Sequence, residues 1–463
     1  MRSIWLEKVI DSVADRGREL LGIRGDRSPS GLENLCNALL TQKGEASGTA
    51  LAREILRHYE QLPTAAKLDF FTLLDRRYGP DKDAIFKAAS VFRESGSAEA
   101  WLALRETIEP QRQRLFRRLN AAPDGTRALV GMRADLLALL GQDPALEAVD
   151  TDLKRLLTFW FNRGFLELRR IDWRTSATVL EKLITYESVH EIQSWSDLRR
   201  RLEADRRCFA FFHPALADEP LIFVEAALVR GMAASIEPLI DENAPVLNPQ
   251  DADSVIFYSI NNCLAGLRGV SFGNFLIKQV AMELQREFPA VKLFSTLSPM
   301  PGFRRALADT KVFTDWRLQA IVGSAAKELC SVAGTPDLAS ALQRLLEKPG
   351  SHENLLSGPL VRLGLAYLVC ARRKGKPLDP VAHFHLSNGA QLERINPLAN
   401  GSPTGLRQSA GLMVNYRYIS QDFESNHEAF AQHKKIQLGR SLQKEARAVR
   451  EAWVSRKGIS RLA

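Results

Sequence analysis

The chain has 463 residues, of which 45% are hydrophobic and 25% charged, values typical of a globular protein with two or three domains. No run approaches the roughly 18 apolar residues that a membrane-spanning helix needs, so no membrane association is expected. The formal net charge of +9 would suit a polyanionic partner, but the basic clusters at 111–118 and 199–201 lack the interleaved aromatic residues of a nucleic-acid stacking surface.

The five cysteines are odd in number, lie far apart and form no Cys-x-x-Cys pair, so we expect free thiols in a reducing cell. They are Cys36, Cys208, Cys263, Cys330 and Cys370. The first eight residues contain no apolar signal segment, and residues 461–463 do not form a peroxisomal signal. A cytoplasmic protein is the resulting prediction.

Residues 1–157 are predicted to form an all-helical domain. Apolar residues recur at helical spacing in two segments, and Gly-Pro and Pro-Asp-Gly turns separate the segments. The apolar positions are Ile85, Ala88, Ala89 and Phe92, then Leu129, Met132, Leu136 and Leu140. This pattern is typical of an antiparallel helix bundle. Because the segment contains no convincing catalytic constellation, we expect it to serve assembly.

Residues 158–463 are predicted to form a mixed α/β domain, which makes the fold class α+β. Runs rich in β-branched and aromatic residues predict strands at 207–212, 220–228, 254–260, 291–297 and 412–418. A helix is predicted at 274–288, mostly helical sequence at 304–375, and a polar helical tail from about 424.

A glycine-rich segment at 265–273 lies between a predicted strand and a predicted helix. Glycine lets a backbone turn tightly and approach a ligand closely, and the start of the following helix would suit a phosphate. Arg268 could add a charged contact. The segment is neither a Walker loop nor a clean Gly-x-Gly-x-x-Gly motif, so a purely structural turn explains it about as well.

Two further segments carry groups suited to catalysis. Ser295 lies in a predicted strand that runs into a Ser-Pro turn, and sheet ends of this kind often border ligand sites, although turn hydroxyls also explain the serines. His383 and His385 would share one face of an extended segment that ends at a turn at 388–389. No third ligand accompanies them, so a metal site is not expected, and a single buried histidine is the common alternative.

Taken together, several blocks of the sequence resemble the malonyl-CoA decarboxylase family in content, order and rough spacing. The resemblance covers essentially the whole chain and is strongest between about 205 and 420. The blocks are 258–278, 283–289, 294–303, 384–390, 394–396 and 411–418.

The resemblance implies a helical assembly domain, a homotetramer, and a catalytic domain similar to the N-acetyltransferase superfold. It also implies that Ser295 and His385 form a catalytic pair and that Tyr418 is the active-site tyrosine. The segment expected to contact the CoA thioester comprises Ala265, Gly266, Leu267, Arg268, Gly269, Val270 and Ser271.

The implied reaction converts malonyl-CoA into acetyl-CoA and carbon dioxide. The thioester carbonyl can take up the charge as an enolate, so neither a cofactor nor a metal is expected. His385, with a pKa near neutrality, would donate the proton, and Ser295 would be its hydrogen-bonding partner and touch the malonyl carboxylate. A CoA-dependent acyltransferase and a non-catalytic acyl-CoA-binding protein remain alternatives.

Overall fold

The computed structural model describes residues 29–42, 44–270, 272, 276–309, 316–373 and 375–447. Within these residues, eight α-helices precede the first strand, as the apolar periodicity of the N-terminal part predicts. Their bounds are α1 Pro29–Thr41, α2 Glu45–Glu60, α3 Thr64–Tyr78, α4 Lys82–Ser95, α5 Ala98–Ile108, α6 Gln111–Asn120, α7 Gly125–Leu139 and α8 Leu146–Trp160.

N-capping residues mark the start of some of these helices, and burial of an apolar face stabilises the helices. The side chains of Asp81 and Ser97 accept hydrogen bonds from backbone N–H groups three residues further on, which caps α4 and α5. The predicted apolar face of Leu129, Met132 and Leu136 in α7 is buried. The helical prediction for this part of the chain is therefore confirmed where the structure describes it.

Strands and helices alternate irregularly after residue 163, which confirms the predicted α+β class. The described helices are α9 Ala177–Tyr186, α10 Trp195–Arg201, α11 Glu237–Ile240, α12 Leu276–Glu287, α13 Phe303–Ala308, α14 Trp316–Ala333, α15 Leu338–Leu345, α16 Glu353–Cys370, α17 Pro380–Ser387, α18 Pro403–Ser409 and α19 Phe423–His433. The described strands are β1 Glu167–Ile171, β2 Arg206–Phe212, β3 Ile222–Val229, β4 Ser254–Asn262, β5 Leu293–Thr296, β6 Ser298–Pro299, β7 Arg372–Arg373, β8 Lys376–Pro377, β9 Gln391–Asn396 and β10 Met413–Tyr418. All five predicted strands occur among them, with small differences at their ends.

Eight of the described strands form one sheet, in the order β1-β2-β3-β4-β5-β10-β6, and β9 also pairs with β10. β4 and β5 are parallel, whereas β10 is antiparallel to β5, β6 and β9. Strand β10 therefore pairs with β5 and β6 along one edge and with β9 along the other.

The ladder between β10 and the 293–299 segment is interrupted at Leu297, which separates β5 from β6. Side chains replace backbone groups at this point. The Asn415 amide donates to the Thr296 carbonyl at 2.8 Å, and the Thr296 hydroxyl accepts from the Tyr416 N–H at 3.2 Å. These bonds satisfy backbone groups that the interrupted ladder leaves unpaired.

The segment predicted to be extended around the two histidines is helical, so that prediction is wrong. Helix α17 begins after Asp379, whose side chain accepts a hydrogen bond from the Ala382 N–H at 2.8 Å, and Pro380 occupies its first turn. An aspartate N-cap followed by proline is a strong start signal for a helix. His383 and His385 consequently do not share a face, because two residues correspond to about 200° around a helix.

The described structure divides into two compact units that do not follow the chain in a simple order. Of the described residues, the first unit comprises those within 1–167, 211–221 and 262–273, and the second comprises those within 168–210, 222–261 and 274–463. In the first unit, Arg127 of α7 forms an ion pair with Glu219 at 2.8 Å, and the Phe161 and His213 rings lie 4.8 Å apart. The glycine-rich turn therefore belongs to the helical unit.

Candidate active site

Alternation along two antiparallel strands gathers hydroxyl groups on one face of the sheet in the second unit. The register pairs Val414 with Ser298, and Tyr418 with Phe294. Side chains of opposite residues point to the same face, and this face is shared by every second residue of a strand. The hydroxyls of Ser298 and Tyr418 therefore lie on one face, together with that of Thr296.

His385, in the last turn of α17, packs against this face and is only 2% exposed. Its Nε2 lies 3.1 Å from the Ser298 hydroxyl, and its Nδ1 lies 2.8 Å from the Tyr418 hydroxyl. The Ser298 hydroxyl also contacts the Thr296 hydroxyl at 3.0 Å. The imidazole ring stacks on the ring of Tyr416, with 4.6 Å between centroids. Both ring nitrogens of His385 thus have a fixed hydroxyl partner.

The expected hydrogen bond between Ser295 and His385 is not present, and this correction follows from strand geometry. Ser295 is fully buried, and its hydroxyl contacts the carbonyls of Thr296 and Tyr416 at 3.2 and 3.3 Å. It lies an odd number of residues from Ser298, so an extended chain directs the two side chains to opposite faces. The serine that the structure brings to His385 is Ser298.

Burial determines the charge state of this cluster. Burial lowers the pKa of His385 to about 3, so the imidazole is neutral at pH 7. The expectation of a pKa near neutrality is therefore wrong for the protein without substrate. Burial also raises the pKa values of Tyr416 and Tyr418 well above 10, so both phenols keep their protons. The Tyr416 hydroxyl is buried and has no hydrogen-bond partner among the described residues.

The neutral imidazole carries one N–H, so protons in the cluster can be arranged in two ways. With the proton on Nε2, His385 donates to Ser298, and Tyr418 donates to Nδ1. With the proton on Nδ1, His385 donates to Tyr418, and the Ser298 hydroxyl donates to Nε2. Passing from one arrangement to the other takes up one proton at one end of the Tyr418–His385–Ser298 chain and releases one proton at the other end, which is the behaviour required of a proton-transfer site.

Asp379 fixes the start of the helix that carries His385. In addition to capping α17, its carboxyl accepts a hydrogen bond from the Tyr367 hydroxyl at 3.3 Å. The carboxyl is buried, and burial raises its pKa to about 6 although the hydrogen bonds lower it. His383 lies on another side of the helix, where its Nδ1 is 2.9 Å from the Ser387 hydroxyl. It contributes nothing to the hydroxyl cluster.

The glycine-rich turn, in the first unit, is held by a buried arginine of α7. Arg133 Nη1 donates to the carbonyls of Gly266 and Arg268 at 2.6 and 2.9 Å, and its Nε donates to Asp150 at 2.8 Å. A Cβ at Gly266 would overlap the carbonyl oxygen of Val130, so only glycine allows this approach to α7.

The predicted substrate-contacting residues differ in exposure along this turn. Ala265, Arg268 and Gly269 are exposed, whereas Gly266, Leu267 and Val270 are buried. Ser271 lies outside the described residues.

Sequence reasoning missed Ser298, Tyr416 and Arg133 as members of these two sites. The two-residue spacing of Thr296 and Ser298, repeated by Tyr416 and Tyr418, was a readable signal for a shared strand face. No local signal identifies Arg133, because its contacts with the turn connect residues more than a hundred positions apart.

Neither a metal-binding cluster nor a membrane-spanning helix occurs among the described residues. No three His, Cys, Asp or Glu side chains come together there as a metal-binding group. No described helix combines the length and the apolar character needed to cross a bilayer.

Comparison with protein families gives two matches that together span most of the chain. A model of the malonyl-CoA decarboxylase C-terminal domain matches residues 164–457, and a model of the malonyl-CoA decarboxylase N-terminal domain matches residues 78–161.

Curated relatives and solved structures agree with these matches. Mitochondrial malonyl-CoA decarboxylase of Anser anser anser is 32% identical over 453 residues, covering 91% of this chain and 90% of the relative. The Rattus norvegicus enzyme of the same name is 36% identical over 353 residues, covering 73% and 72%. The crystal structure of malonyl-CoA decarboxylase from Rhodopseudomonas palustris is 46% identical with a TM-score of 0.81, covering 90% of this chain and 99% of that one. The corresponding structure from Agrobacterium vitis is 44% identical with a TM-score of 0.75, covering 89% and 99%.

Proposed function

Because the chain belongs to the malonyl-CoA decarboxylase family of enzymes, we propose that it converts malonyl-CoA into acetyl-CoA and carbon dioxide. The observation that best supports a catalytic role for the second unit is the buried cluster in which Ser298 and Tyr418 contact the two ring nitrogens of His385. Such a cluster can hold and transfer a proton away from bulk water.

The electrons released in the reaction need no separate acceptor. The bond between the carboxylate and the methylene carbon breaks, carbon dioxide leaves, and the electron pair passes into the thioester carbonyl as an enolate. The enolate then takes one proton at its α-carbon and becomes the acetyl thioester. A hydrogen-bond donor directed at the enolate oxygen typically contributes about 3 kcal/mol to such a step.

His385 is the proposed proton donor. In the free protein it is neutral, since burial lowers its pKa to about 3. An anionic malonyl carboxylate beside the ring would raise that pKa, because an opposite charge stabilises the imidazolium. His385 would therefore take up from solvent, when the substrate binds, the proton that each turnover consumes.

Ser298 is the proposed partner of His385, in place of the predicted Ser295. Its hydroxyl can donate to the malonyl carboxylate or to Nε2, and Tyr418 holds Nδ1. Ser295 is directed at backbone carbonyls, which favours a structural role. The glycine-rich turn at 265–271 is proposed to bind the CoA portion, and among its described residues Ala265, Arg268 and Gly269 are exposed to do so.

The direct test is incubation of the purified protein with malonyl-CoA while carbon dioxide and acetyl-CoA are measured. We expect equal amounts of both products, and we expect the activity to survive exhaustive EDTA treatment because the thioester itself accepts the electrons. Loss of activity with EDTA, restored by a divalent ion, would contradict the metal-free mechanism.

The same experiment separates the two alternatives. An acyltransferase would need an acceptor amine and would release no carbon dioxide in its absence. A non-catalytic acyl-CoA-binding protein would bind malonyl-CoA without forming either product, and its affinity would tolerate the loss of His385.

We also propose that the protein is a cytoplasmic homotetramer. The absence of the hydroxyl cluster from the described helical unit supports an assembly role for that unit. The cytoplasmic location differs from that of the animal relatives, which are mitochondrial by name. Light scattering of the full-length protein and fractionation of the source cell test the two parts separately.

A further inference from the structure

A lysine of the helical unit lies beside the glycine-rich turn. Gly269 is exposed and has a φ of +74°, a conformation that L-residues with a side chain rarely adopt. A Cβ built on Gly269 would lie 3.1 Å from Nζ and 3.6 Å from Cε of Lys154, which belongs to α8. The ammonium group therefore lies directly against exposed backbone, where a glycine leaves room for a ligand.

The turn is rigidly supported at this point. Arg133, only 1% exposed, donates to two carbonyls of the turn, and Gly266 is pressed against the backbone of α7. Because Arg133 occupies these carbonyls from the buried side, a ligand on the exposed side encounters a fixed backbone. A preorganised surface of this kind binds with less loss of conformational entropy.

The charges around the turn favour an anion. The charge of Arg133 is compensated by its ion pair with Asp150. Among the described residues, Lys154 forms no ion pair with a carboxylate, and neither does the exposed Arg268 next to Gly269. In the described part of the chain, the two cations beside Gly269 thus have no carboxylate within ion-pair distance.

We infer that Lys154, together with Arg268, binds a phosphate group of the CoA portion of the substrate. The inference rests on the proposed function, because CoA is the phosphate-bearing compound that the proposed reaction brings to the turn. It extends that function to the helical unit, for which the sequence suggests assembly alone. Charge-assisted hydrogen bonds from lysine suit a phosphate, which carries several acceptor oxygens.

The test compares two variants of the full-length protein that each remove one positive charge from α8. Lys154→Met keeps a long side chain but removes the ammonium group, and Arg155→Met is the matched control at the exposed neighbouring position. Binding of CoA is measured by calorimetry, and decarboxylation is measured with malonyl-CoA and with malonyl-pantetheine, which lacks the phosphates of the nucleotide.

We expect Lys154→Met to raise both the KM for malonyl-CoA and the Kd for CoA about tenfold, the effect of losing one charged hydrogen bond. Its kcat should change little, since the contact is equal in ground and transition states. With malonyl-pantetheine the difference from the unmodified protein should vanish, and Lys154→Arg should restore most of the affinity. Dephospho-CoA, which lacks the 3′-phosphate, then identifies the phosphate that Lys154 binds. If it is the 3′-phosphate, Lys154→Met and the unmodified protein should bind dephospho-CoA with equal Kd values. If it is the pyrophosphate, the tenfold difference in Kd should remain.

Equal Kd values for CoA in Lys154→Met and Arg155→Met would overturn the inference. It would also be overturned if Lys154→Met lost as much activity with malonyl-pantetheine as with malonyl-CoA. These outcomes are separate from failure of the proposed function. A protein that binds CoA through Lys154 but releases no carbon dioxide would retain the phosphate site and refute the decarboxylase.

Discussion

His385 is neutral in the free protein and has no carboxylate partner among its hydrogen bonds, which are both to hydroxyls. Its basicity is therefore controlled by what enters the site. A neutral hydroxyl pair stabilises the imidazolium far less than a carboxylate would, so an anionic substrate has a large effect on the charge of the ring.

The first prediction concerns the roles of His385 and the two serines. His385→Asn and Ser298→Ala should each lower kcat at least a hundredfold while leaving the Kd for CoA nearly unchanged, because proton transfer belongs to the transition state. The double variant should be little worse than the worse single one, since groups that act as a unit are not additive. Steady-state kinetics, with folding checked by circular dichroism, measure this.

Ser295→Ala is the matched control for Ser298→Ala. It removes a buried hydroxyl from the same segment but one that contacts backbone carbonyls, so it should cost about 1 kcal/mol of stability and little kcat. A folded Ser295→Ala variant without activity, beside an active Ser298→Ala variant, would restore the assignment that the sequence suggests.

The second prediction concerns acid stability. Burial lowers the pKa of His385 from 6.5 to about 3, so between these values the unfolded chain binds a proton that the folded chain does not. The stabilisation is complete above pH 6.5 and is lost as the pH falls towards 3. The free energy of unfolding, from urea titrations, should decrease over this range.

The free energy of unfolding should fall less steeply with decreasing pH in His385→Gln, which lacks the titrating ring. His190 remains in that variant and has the same behaviour, since its burial and the nearby Arg201 lower its pKa to about 3 as well. An identical pH slope in His385→Gln and the unmodified protein would show that His385 does not titrate in this way.

At the scale of secondary-structure elements, the position of His385 depends on how α17 begins. The sequence contains the signals for this helix in Asp379 and Pro380, but the alternation of two histidines around Phe384 favours a strand over so short a segment. Packing of α17 on the sheet decides between helix and strand here, because the periodicity of only eight residues cannot distinguish the two. The strands, by contrast, were predictable because their apolar runs are long and rich in β-branched residues.

The third prediction tests this cap against an equivalent one. Asp379→Ala should destabilise the protein by about 1 kcal/mol or more, and it should also lower kcat about tenfold because the start of the helix that holds His385 is released. Asp337→Ala removes the exposed N-cap of α15, where the side chain accepts from the Ser340 N–H at 2.9 Å. This control should lose comparable helix-cap stability without losing kcat; an equal loss of kcat in both variants would remove Asp379 from a positioning role.

The fourth prediction tests the glycine-rich turn. Gly269→Val should raise the KM for malonyl-CoA severalfold or more. Valine is strained at a φ of +74°, and its Cβ would come too close to the Lys154 side chain. Gly231→Val is the control, since Gly231 has a φ of +71° but no heavy atom near a built Cβ. Both variants should lose about 1 kcal/mol of stability, measured by urea unfolding. An unchanged KM in a folded Gly269→Val protein would exclude the turn from the substrate site.

At the scale of the whole molecule, the sequence indicates a helical part and a mixed part but not how the chain is shared between them. The change in character near residue 160 is visible because hydrophobic periodicity changes there. The inclusion of 211–221 and 262–273 in the helical unit is not visible, because it depends on contacts such as Arg127 with Glu219 that are distant in sequence.

The fifth prediction concerns deletion of residues 1–157. If the helical unit assembles the protein, the remaining chain should show a smaller mass by light scattering than the full-length oligomer. Its CoA affinity should fall as well, because the deletion removes Arg133 and Lys154 from the turn. A full-length oligomeric state after deletion would reject the assembly role, whereas unchanged CoA affinity would reject the supporting role of the helices.

The division of the chain also has a consequence for how the protein folds during synthesis. The helices emerge first from the ribosome, yet their unit includes the segment 262–273, which is made only after strands β1 to β4 have been translated. Until then, the buried guanidinium of Arg133 lacks the two carbonyls it contacts in the finished structure. The helical unit therefore cannot complete its native contacts as an independent N-terminal nascent domain, and its maturation is coupled to translation of the first half of the sheet.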